Sequence, residues 1–502
     1  MTATGAEALN LAAALEVNAG ARPDHPAIVS GDRMWTHAEV AAEVRALASW
    51  LCAQGVTKDD VIGVALRDTP DHLMMIFAVV RLGAVLLPLD WRWTEAERTR
   101  VATHFGARMT ICEPDAEPGA ATPALTMTQL RSAPVGADDP PFVLDPDLPL
   151  LMSLSSGTTG MPSGPELTHP QMLRRFWTHW INLGLNADHR YMSATPLYFG
   201  GGRTFAMSIL YAGGTVILFP PPFRPGELCA EIARRGATSL FLVPTQLRGL
   251  LELGADELGP VRALDVLISS GAPLDPQERS EIGTRLNTNF REYYASTEGG
   301  GISLSTPQTR ARCADSVGRP VFGVEIAVVD DTDVPVPAGT VGRLRYRGPG
   351  VATRSFSKDG HHTDLLRDGW FYPGDLAEMD AAGFVTLRGR AKEMIIRGGV
   401  NVYPFEIETV IRSHPQVADV AVMGVADARL GETVVAACIA KDASLDSGAL
   451  LDWCATQLAP YKVPAQLRMV SSFPRNSAGK VLKAELLDLF QTLDTDLSQI
   501  SS

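Results

Sequence analysis

Leu154-Ser155-Ser156-Gly157-Thr158-Thr159-Gly160-Met161-Pro162-Ser163-Gly164 follows the apolar run Leu148 to Leu151 and runs into Thr168-His169. A buried strand that opens into glycines and hydroxyls makes a turn in which backbone N–H groups and Ser/Thr oxygens can close around an anion. The pattern Gly-x-x-x-x-Gly-Lys-Ser/Thr cannot be laid over it in any register, so it is not a P-loop. A Ser/Gly/Thr cluster on its own is also what a flexible surface loop looks like. Neighbouring segments have to decide between the two.

Upstream, residues 8–54 read as a helix, a short strand around Ala27-Ile28-Val29, and a helix over 36–54 opened by the capping pattern Thr36-His37-Ala38-Glu39. A buried strand over 61–66 follows. Thr69-Pro70 then supplies an N-cap and a first-turn proline for a helix to about residue 82, and 84–87 reads as the next strand. Between 113 and 149 the chain turns to Pro, Ala, Asp and Gly with little periodicity, which predicts a surface connection. Downstream, alternation resumes: 210–219 with a turn at Gly213-Gly214, a helix over 229–235, a strand over 239–243, and a strand over 266–269 ending at Gly271-Ala272-Pro273. Strands alternating with helices predict parallel sheets covered on both faces, here as two α/β subdomains.

Residues 318–390 carry short strands at close spacing (325–329, 342–346, 383–387) and predict a small β-rich subdomain. A compact α+β segment follows, with helices over 404–413 and 447–458 and strands over 417–425 and 434–440. The predicted boundary lies near 389–392, giving an N-terminal domain over 1–390 and a C-terminal domain over 391–502. A charged, Gly-flanked segment there serves equally as a hinge or as a plain surface turn.

Composition narrows the functional classes. The 502 residues are 45% hydrophobic and 20% charged, an ordinary globular balance, and the net charge of −13 with no basic patch argues against nucleic acid. Only seven of the 44 basic residues are lysines, which makes each lysine beside a motif conspicuous. The six cysteines are scattered without a Cys-x-x-Cys, so neither a zinc site nor a disulfide framework is indicated, and a reducing cytoplasm is the expected setting. The N-terminus lacks the basic and apolar regions of a signal peptide. The apolar stretch 73–89 is broken by Arg81, Gly83 and Pro88 and is too short to span a bilayer, so no membrane partner is expected.

Four further segments complete a pattern with the opening loop: Glu292-Tyr293-Tyr294-Ala295-Ser296-Thr297-Glu298, Trp370-Phe371-Tyr372-Pro373-Gly374-Asp375, the run from Gly389-Arg390-Ala391-Lys392 through Gly398-Gly399 to Glu408, and Pro474-Arg475-Asn476-Ser477-Ala478-Gly479-Lys480. In this order and spacing the chain resembles the adenylate-forming superfamily of acyl-CoA synthetases, nonribosomal adenylation domains and luciferases, and is most similar to acid–CoA ligases. The resemblance implies a mobile C-terminal domain and two steps: MgATP activates a carboxylic acid to an acyl adenylate, and the thiol of coenzyme A then displaces AMP. It implies ATP, Mg²⁺ and coenzyme A as cofactors.

Residue by residue, the resemblance implies that Ser155, Ser156, Gly157, Thr158 and Thr159 hold the outer phosphates, Thr297 the α-phosphate and Glu298 the Mg²⁺. Gly271, Ala272 and Pro273 with Tyr294 and Ala295 would line the adenine slot. Asp375 would accept the ribose hydroxyls, a task suited to an acceptor-only carboxylate, and Arg390 would add a ribose or phosphate contact. Lys480 would bridge the acid's carboxylate and the α-phosphate, Lys392 would be the pivot of the C-terminal domain, and Gly398 and Gly399 would line the path of coenzyme A.

Three positions depart from the pattern. Ser163 stands where a lysine is usual, Phe199 where many relatives carry a histidine gate, and Ala295 where glycine is frequent. Phe199 with Gly200, Gly201 and Gly202 predicts an acid pocket, completed by the helix carrying Trp177, His179 and Trp180. Three glycines beside an aromatic gate leave room for a bulky apolar acid, aryl, polycyclic or terpenoid as in natural-product pathways; they equally form a plain turn before a helix at Thr204. An alternative activity is a stand-alone adenylating enzyme that passes its acyl group to a carrier protein. A nucleotide-binding protein without catalysis is the remaining class, and a homodimer is common among such relatives.

Overall fold

The computed structural model describes residues 9–113, 123–132, 139–154, 162–356, 362–398, 400–427, 429–442, 444–475 and 481–491. The chain divides into two compact units, residues 1–326 with 346–371 and residues 327–345 with 372–502.

The first unit holds two large sheets. One has nine strands, its centre built from parallel strands in the spatial order Phe290–Ser296, Val266–Ser269, Ser239–Leu242, Arg190–Ser193, Thr215–Leu218 and Pro26–Ser30. The other has eight, with Val61–Ala65 between Val85–Pro88 and Ala107–Cys112 and all three parallel. Val85–Pro88, Thr215–Leu218, Ser239–Leu242 and Val266–Ser269 are buried at every residue, as strands covered on both faces must be. The two predicted α/β subdomains are these two sheets with their helices.

Local signals set the helix starts. Thr36 caps His37–Ala53, accepting from the Glu39 N–H while the Glu39 carboxylate accepts from the Thr36 N–H. Thr69 and Pro70 open Pro70–Arg81, and a Thr168/Gln171 capping box opens His169–Leu183, which ends on Gly184 in the left-handed conformation.

Three local expectations need correction. Arg33–Thr36 forms an unforeseen edge strand antiparallel to Pro26–Ser30, and its burial shows no alternation to betray it. The supposed connection over 113–149 contains strand Ala124–Thr126, paired with Ala107–Cys112, and helix Met127–Ser132. The glycines 200–202 are no turn before Thr204, since they are the first turn of helix Gly200–Ala212.

The second unit carries the greater part of a four-stranded sheet (Glu325–Val329, Gly342–Arg347, Asp375–Met379, Val385–Arg390) and all of a five-stranded one dominated by the hairpin Val417–Asp427 with Gly431–Ala440. Helices Pro404–Arg412 and Ser447–Gln457 contribute to its core through Ile407, Ile411, Leu450 and Cys454. Among the described residues no helix is long and apolar enough to cross a membrane.

Candidate active site

In the nine-stranded sheet the chain leaves Arg190–Ser193 for Thr215–Leu218 on one side and returns to Ser239–Leu242 on the other. Loops that diverge in this way open a crevice beyond the carboxyl ends of the strands, where open α/β sheets bind ligands. Three connections at this edge carry predicted site residues: 196–199, leading into the first turn of helix Gly200–Ala212, after the first of these strands, Gly271-Ala272-Pro273 after Val266–Ser269, and Thr297-Glu298 after Phe290–Ser296. Gly271, Ala272 and Pro273 are exposed, and Gly271 turns the chain with φ +99°. Tyr294 and Ala295 are half-buried on the adjoining strand, which pairs with Val266–Ser269 up to Ser269 opposite Glu292. Ala295 stands opposite Gly301 just past a register shift.

The Thr297–Gly299 turn is fastened from several sides. Ser296 Oγ lies 2.6 Å from the Tyr346 hydroxyl and accepts from the Gly299 N–H at 2.9 Å. The Ala352 N–H donates to the Glu298 carbonyl at 2.8 Å. Beneath the turn, the buried guanidinium of Arg175 donates to the Thr297 carbonyl at 3.1 Å, the Glu298 carbonyl at 2.5 Å and the Gly350 carbonyl at 2.9 Å. Burial lowers the Arg175 pKa to about 10, against which the Tyr346 and Glu298 fields raise it, so it stays charged at neutral pH. Glycine is required around this brace: a Cβ at Gly299 would lie 2.3 Å from the Tyr346 hydroxyl oxygen, and one at Gly300 2.9 Å from Arg175 Cγ. The half-buried Thr297 and Glu298 side chains take no hydrogen bond or ion pair among the described residues.

A single carboxylate with open oxygens is a fitting donor for Mg²⁺, which keeps several waters and binds through one or two carboxylates plus substrate phosphates. No group of three or more His, Cys, Asp or Glu that could cage a metal exists among the described residues.

The loop after Arg190–Ser193 is braced by the second sheet's loops. Asp68 Oδ1 accepts from the Leu197 N–H at 2.6 Å, and Arg92, paired with Asp90 at 2.7 Å, donates to the Tyr198 hydroxyl at 2.5 Å. Arg203, fully buried in the first turn of its helix, donates to the Tyr198 carbonyl at 2.8 Å and the Leu197 carbonyl at 3.3 Å. Burial, with help from the Arg175 charge, lowers its pKa to about 9.

Phe199 is the half-buried N-cap of this helix and makes no side-chain cap. The three glycines leave less room than their sequence suggests. A Cβ at Gly201 would meet the Phe241 ring at 2.9 Å and one at Gly202 the carbonyls of Thr195 and Pro196 at 2.4 Å, whereas Gly200 has only Ser153 Oγ nearby, at 3.8 Å. Close packing, rather than an acyl cavity, demands glycine at 201 and 202. Nor do the three aromatic residues of helix His169–Leu183 line one space: His179 is buried and stacked on Phe205 at 4.2 Å, Trp180 stacks on Tyr211, and Trp177 lies against Arg174 and Phe322.

In the second unit, Asp375 begins one strand opposite Arg390, which ends the next, and Arg390 Nε contacts Asp375 Oδ1 at 2.8 Å. Lys392 sits in the short 3₁₀ turn Ala391–Glu393, and Gly398 turns with φ +59°. Lys483, which drew no attention in the sequence, lies 2.7 Å from Glu408 and 3.1 Å from Glu393; burial works to lower its pKa, and the two carboxylates outweigh that and raise it. Ser155, Ser156, Gly157, Thr158, Thr159, Gly399 and Lys480 lie outside the described residues. Ser163 is exposed just before strand Gly164–Thr168.

Arg175 and Arg203 are the residues that sequence reasoning missed. Their signal is weak: an arginine on the apolar side of a helix, amid Met172, Phe176, Thr178 and His179 in one case and Phe205, Ala206 and Met207 in the other.

A family model described as AMP-binding enzyme matches residues 15–355, and one described as AMP-binding enzyme C-terminal domain matches residues 406–480. The chain is 32% identical over 477 residues to a feruloyl-CoA synthase of an Amycolatopsis species, covering 92% of this chain and 96% of that one. It is 30% identical over 498 residues to an indoleacetate–CoA ligase of Aromatoleum aromaticum, covering 95% and 97%. Its fold is similar to that of o-succinylbenzoate coenzyme A synthetase from Bacillus subtilis in complex with ATP and magnesium ion, with a TM-score of 0.86 at 26% identity, covering 95% of this chain and 99% of that one.

Proposed function

The chain belongs to the family of AMP-binding enzymes, and from that membership we propose that it joins a bulky hydrophobic acid, aryl in character, to coenzyme A by way of an acyl adenylate. It is an AMP-forming acid–thiol ligase and uses ATP, Mg²⁺ and coenzyme A. The observation that carries the adenylation site is the Thr297–Glu298 turn, held by hydrogen bonds to its backbone while both side chains take no hydrogen bond or ion pair among the described residues.

In the first step a carboxylate oxygen of the acid attacks the α-phosphorus of ATP, the bond to the β-phosphate breaks, and pyrophosphate leaves. Thr297 donates to the α-phosphate, and Glu298 would hold Mg²⁺, which would offset the charge of two anions brought together. Ser155, Ser156, Thr158 and Thr159 bind the departing phosphates. Gly271, Ala272, Pro273 and Tyr294 receive the adenine. Asp375, oriented by Arg390, accepts from the ribose hydroxyls. Lys480 stabilises the charge that grows between carboxylate and phosphorus. In the second step the thiol sulfur, having lost its proton, attacks the acyl carbon, the mixed-anhydride C–O bond breaks, and AMP leaves. Lys392 is the pivot between the steps, and Gly398 and Gly399 admit the pantetheine arm.

The aryl preference is supported by Phe199, a gate that offers contact area without a side-chain hydrogen bond, and by the kinship to a feruloyl-CoA synthase and an indoleacetate–CoA ligase.

Pyrophosphate release across a panel of carboxylic acids, followed by separate assay of acyl-AMP and acyl-CoA, tests the reading. Aryl acids should give both products, and Lys480→Ala should lower acyl-AMP formation on the order of 10²–10³-fold. Pyrophosphate exchange unaltered in that variant would remove Lys480 from the mechanism. Acyl-AMP without acyl-CoA would make a carrier protein the acceptor.

A further inference from the structure

Arg175 is a buried cation without a carboxylate partner among the described residues, where its guanidinium hydrogen bonds all go to main-chain carbonyls. Such a group is costly to bury, and three carbonyl dipoles in the fork of one guanidinium are a directional way to satisfy it. Two of the three carbonyls belong to Thr297 and Glu298, and the third, Gly350, lies two residues before Ala352, whose N–H also donates to Glu298. The helix bearing Arg175 is itself tied to the same strand, because the Thr178 and Tyr293 hydroxyls are hydrogen-bonded one turn further on. A guanidinium here therefore fixes where the Glu298 carboxylate and Thr297 hydroxyl stand. It also sets a positive charge beneath a turn that faces anions.

We infer that Arg175 is a positioning residue chiefly for the adenylation half-reaction: by holding the Thr297 and Glu298 carbonyls it presents their side chains to the α-phosphate and its Mg²⁺. The inference rests on the acyl-adenylate reading. The α-phosphate that Thr297 meets stays in the acyl adenylate, whereas the Mg²⁺ that Glu298 would hold serves the departure of pyrophosphate alone, so thioester formation from a preformed acyl adenylate depends on Arg175 far less than adenylation does. A purely structural arginine would disturb both steps together.

Arg175→Lys keeps the charge but replaces a planar fork by a point donor. Expected is a fall of about 10²-fold in kcat for acyl-AMP formation, the scale of a misplaced reacting group. A raised Mg²⁺ requirement and an unchanged KM for the acid should accompany it, while synthetic acyl-AMP yields thioester with a much smaller loss. Tyr346→Phe, which removes only the hydroxyl beside Ser296 Oγ, should show the same split with a smaller loss and reports even where the lysine variant is too unstable to assay. Equal loss in both half-reactions, or no loss in either, would overturn the inference. Failure of the wild-type chain to form acyl-AMP from any acid would instead bring down the reading beneath it.

Discussion

Strand Phe290–Ser296 carries a glutamate near its start, and a second follows just beyond its end; the two are treated in opposite ways. Glu292 is buried and gripped by Arg279, with Nε to Oε2 at 2.5 Å and NH2 to Oε1 at 3.1 Å, while the same guanidinium donates to the Ala314 carbonyl at 3.1 Å. Glu298 has an arginine beneath it as well, yet Arg175 bonds the backbone of the turn and leaves the carboxylate open. In the first pair the charge is consumed within the fold. In the second it is placed. A carboxylate kept from its nearest cation by the geometry of three carbonyls can serve a ligand, and that separates a site residue from a structural one more sharply than burial does.

Breaking the consumed pair should have the largest effect, and on stability. Arg279→Leu strands Glu292 among buried neighbours, with an expected loss of about 3–5 kcal/mol in urea unfolding. Acyl-AMP formation per folded molecule should persist. An undiminished unfolding midpoint would show that Arg279 is not what satisfies Glu292, and the contrast with Glu298 would lose its first half.

Breaking the placed group should act on chemistry. Glu298→Gln is expected to lower acyl-AMP formation on the order of 10²–10³-fold, about 2.7–4 kcal/mol of transition-state stabilisation. Turnover of synthetic acyl-AMP and the thermal midpoint should stay near wild type. A large fall in thermal midpoint would mean that the turn depends on this side chain, and the contrast with Glu292 would collapse.

What the sequence disclosed follows the range of the interactions involved. Helix starts were readable because Thr36 with Glu39, Thr69 with Pro70 and Thr168 with Gln171 act within one turn. Strand Val266–Ser269 was readable because four buried residues stand between polar neighbours. Arg33–Thr36 and Ala124–Thr126 were not, since strands of four and three residues exist only through the neighbours they pair with. Motif spacing assembled Thr297 and Glu298 with the adenine-slot residues, and the structure brings those loops to one sheet edge. The braces stayed hidden: Arg175 meets its carbonyls 122, 123 and 175 residues away, and Leu197 meets Asp68 129 residues away. The glycines at 201 and 202 misled because a missing Cβ implies either space for a ligand or space taken by protein, and only the packing of Phe241 and Thr195 tells which.

Asp68 is a third state of the same chemistry and gives the smallest expected effect. It is a buried carboxyl with no cation in hydrogen-bond contact among the described residues; it accepts from the Leu197 N–H, with Asp90 and Arg92 as charged neighbours. Burial pushes its pKa up to about 6, with Asp90 adding to the rise while the Leu197 hydrogen bond and Arg92 oppose it. Between the ordinary carboxyl value of about 4 and about 6, the folded state therefore binds more protons than the unfolded state. Stability must fall as pH rises through that window and level off above it. Asp68→Asn retains an oxygen to accept from Leu197 and cannot ionise, so the variant should match wild type near pH 4 and exceed it at pH 7 by about 2–3 kcal/mol, the size of a two-unit shift. Urea midpoints of both proteins across that range measure the difference. Parallel pH profiles would mean that Asp68 does not titrate there, and that the loop bearing Tyr198 and Phe199 is held by an ionised carboxylate.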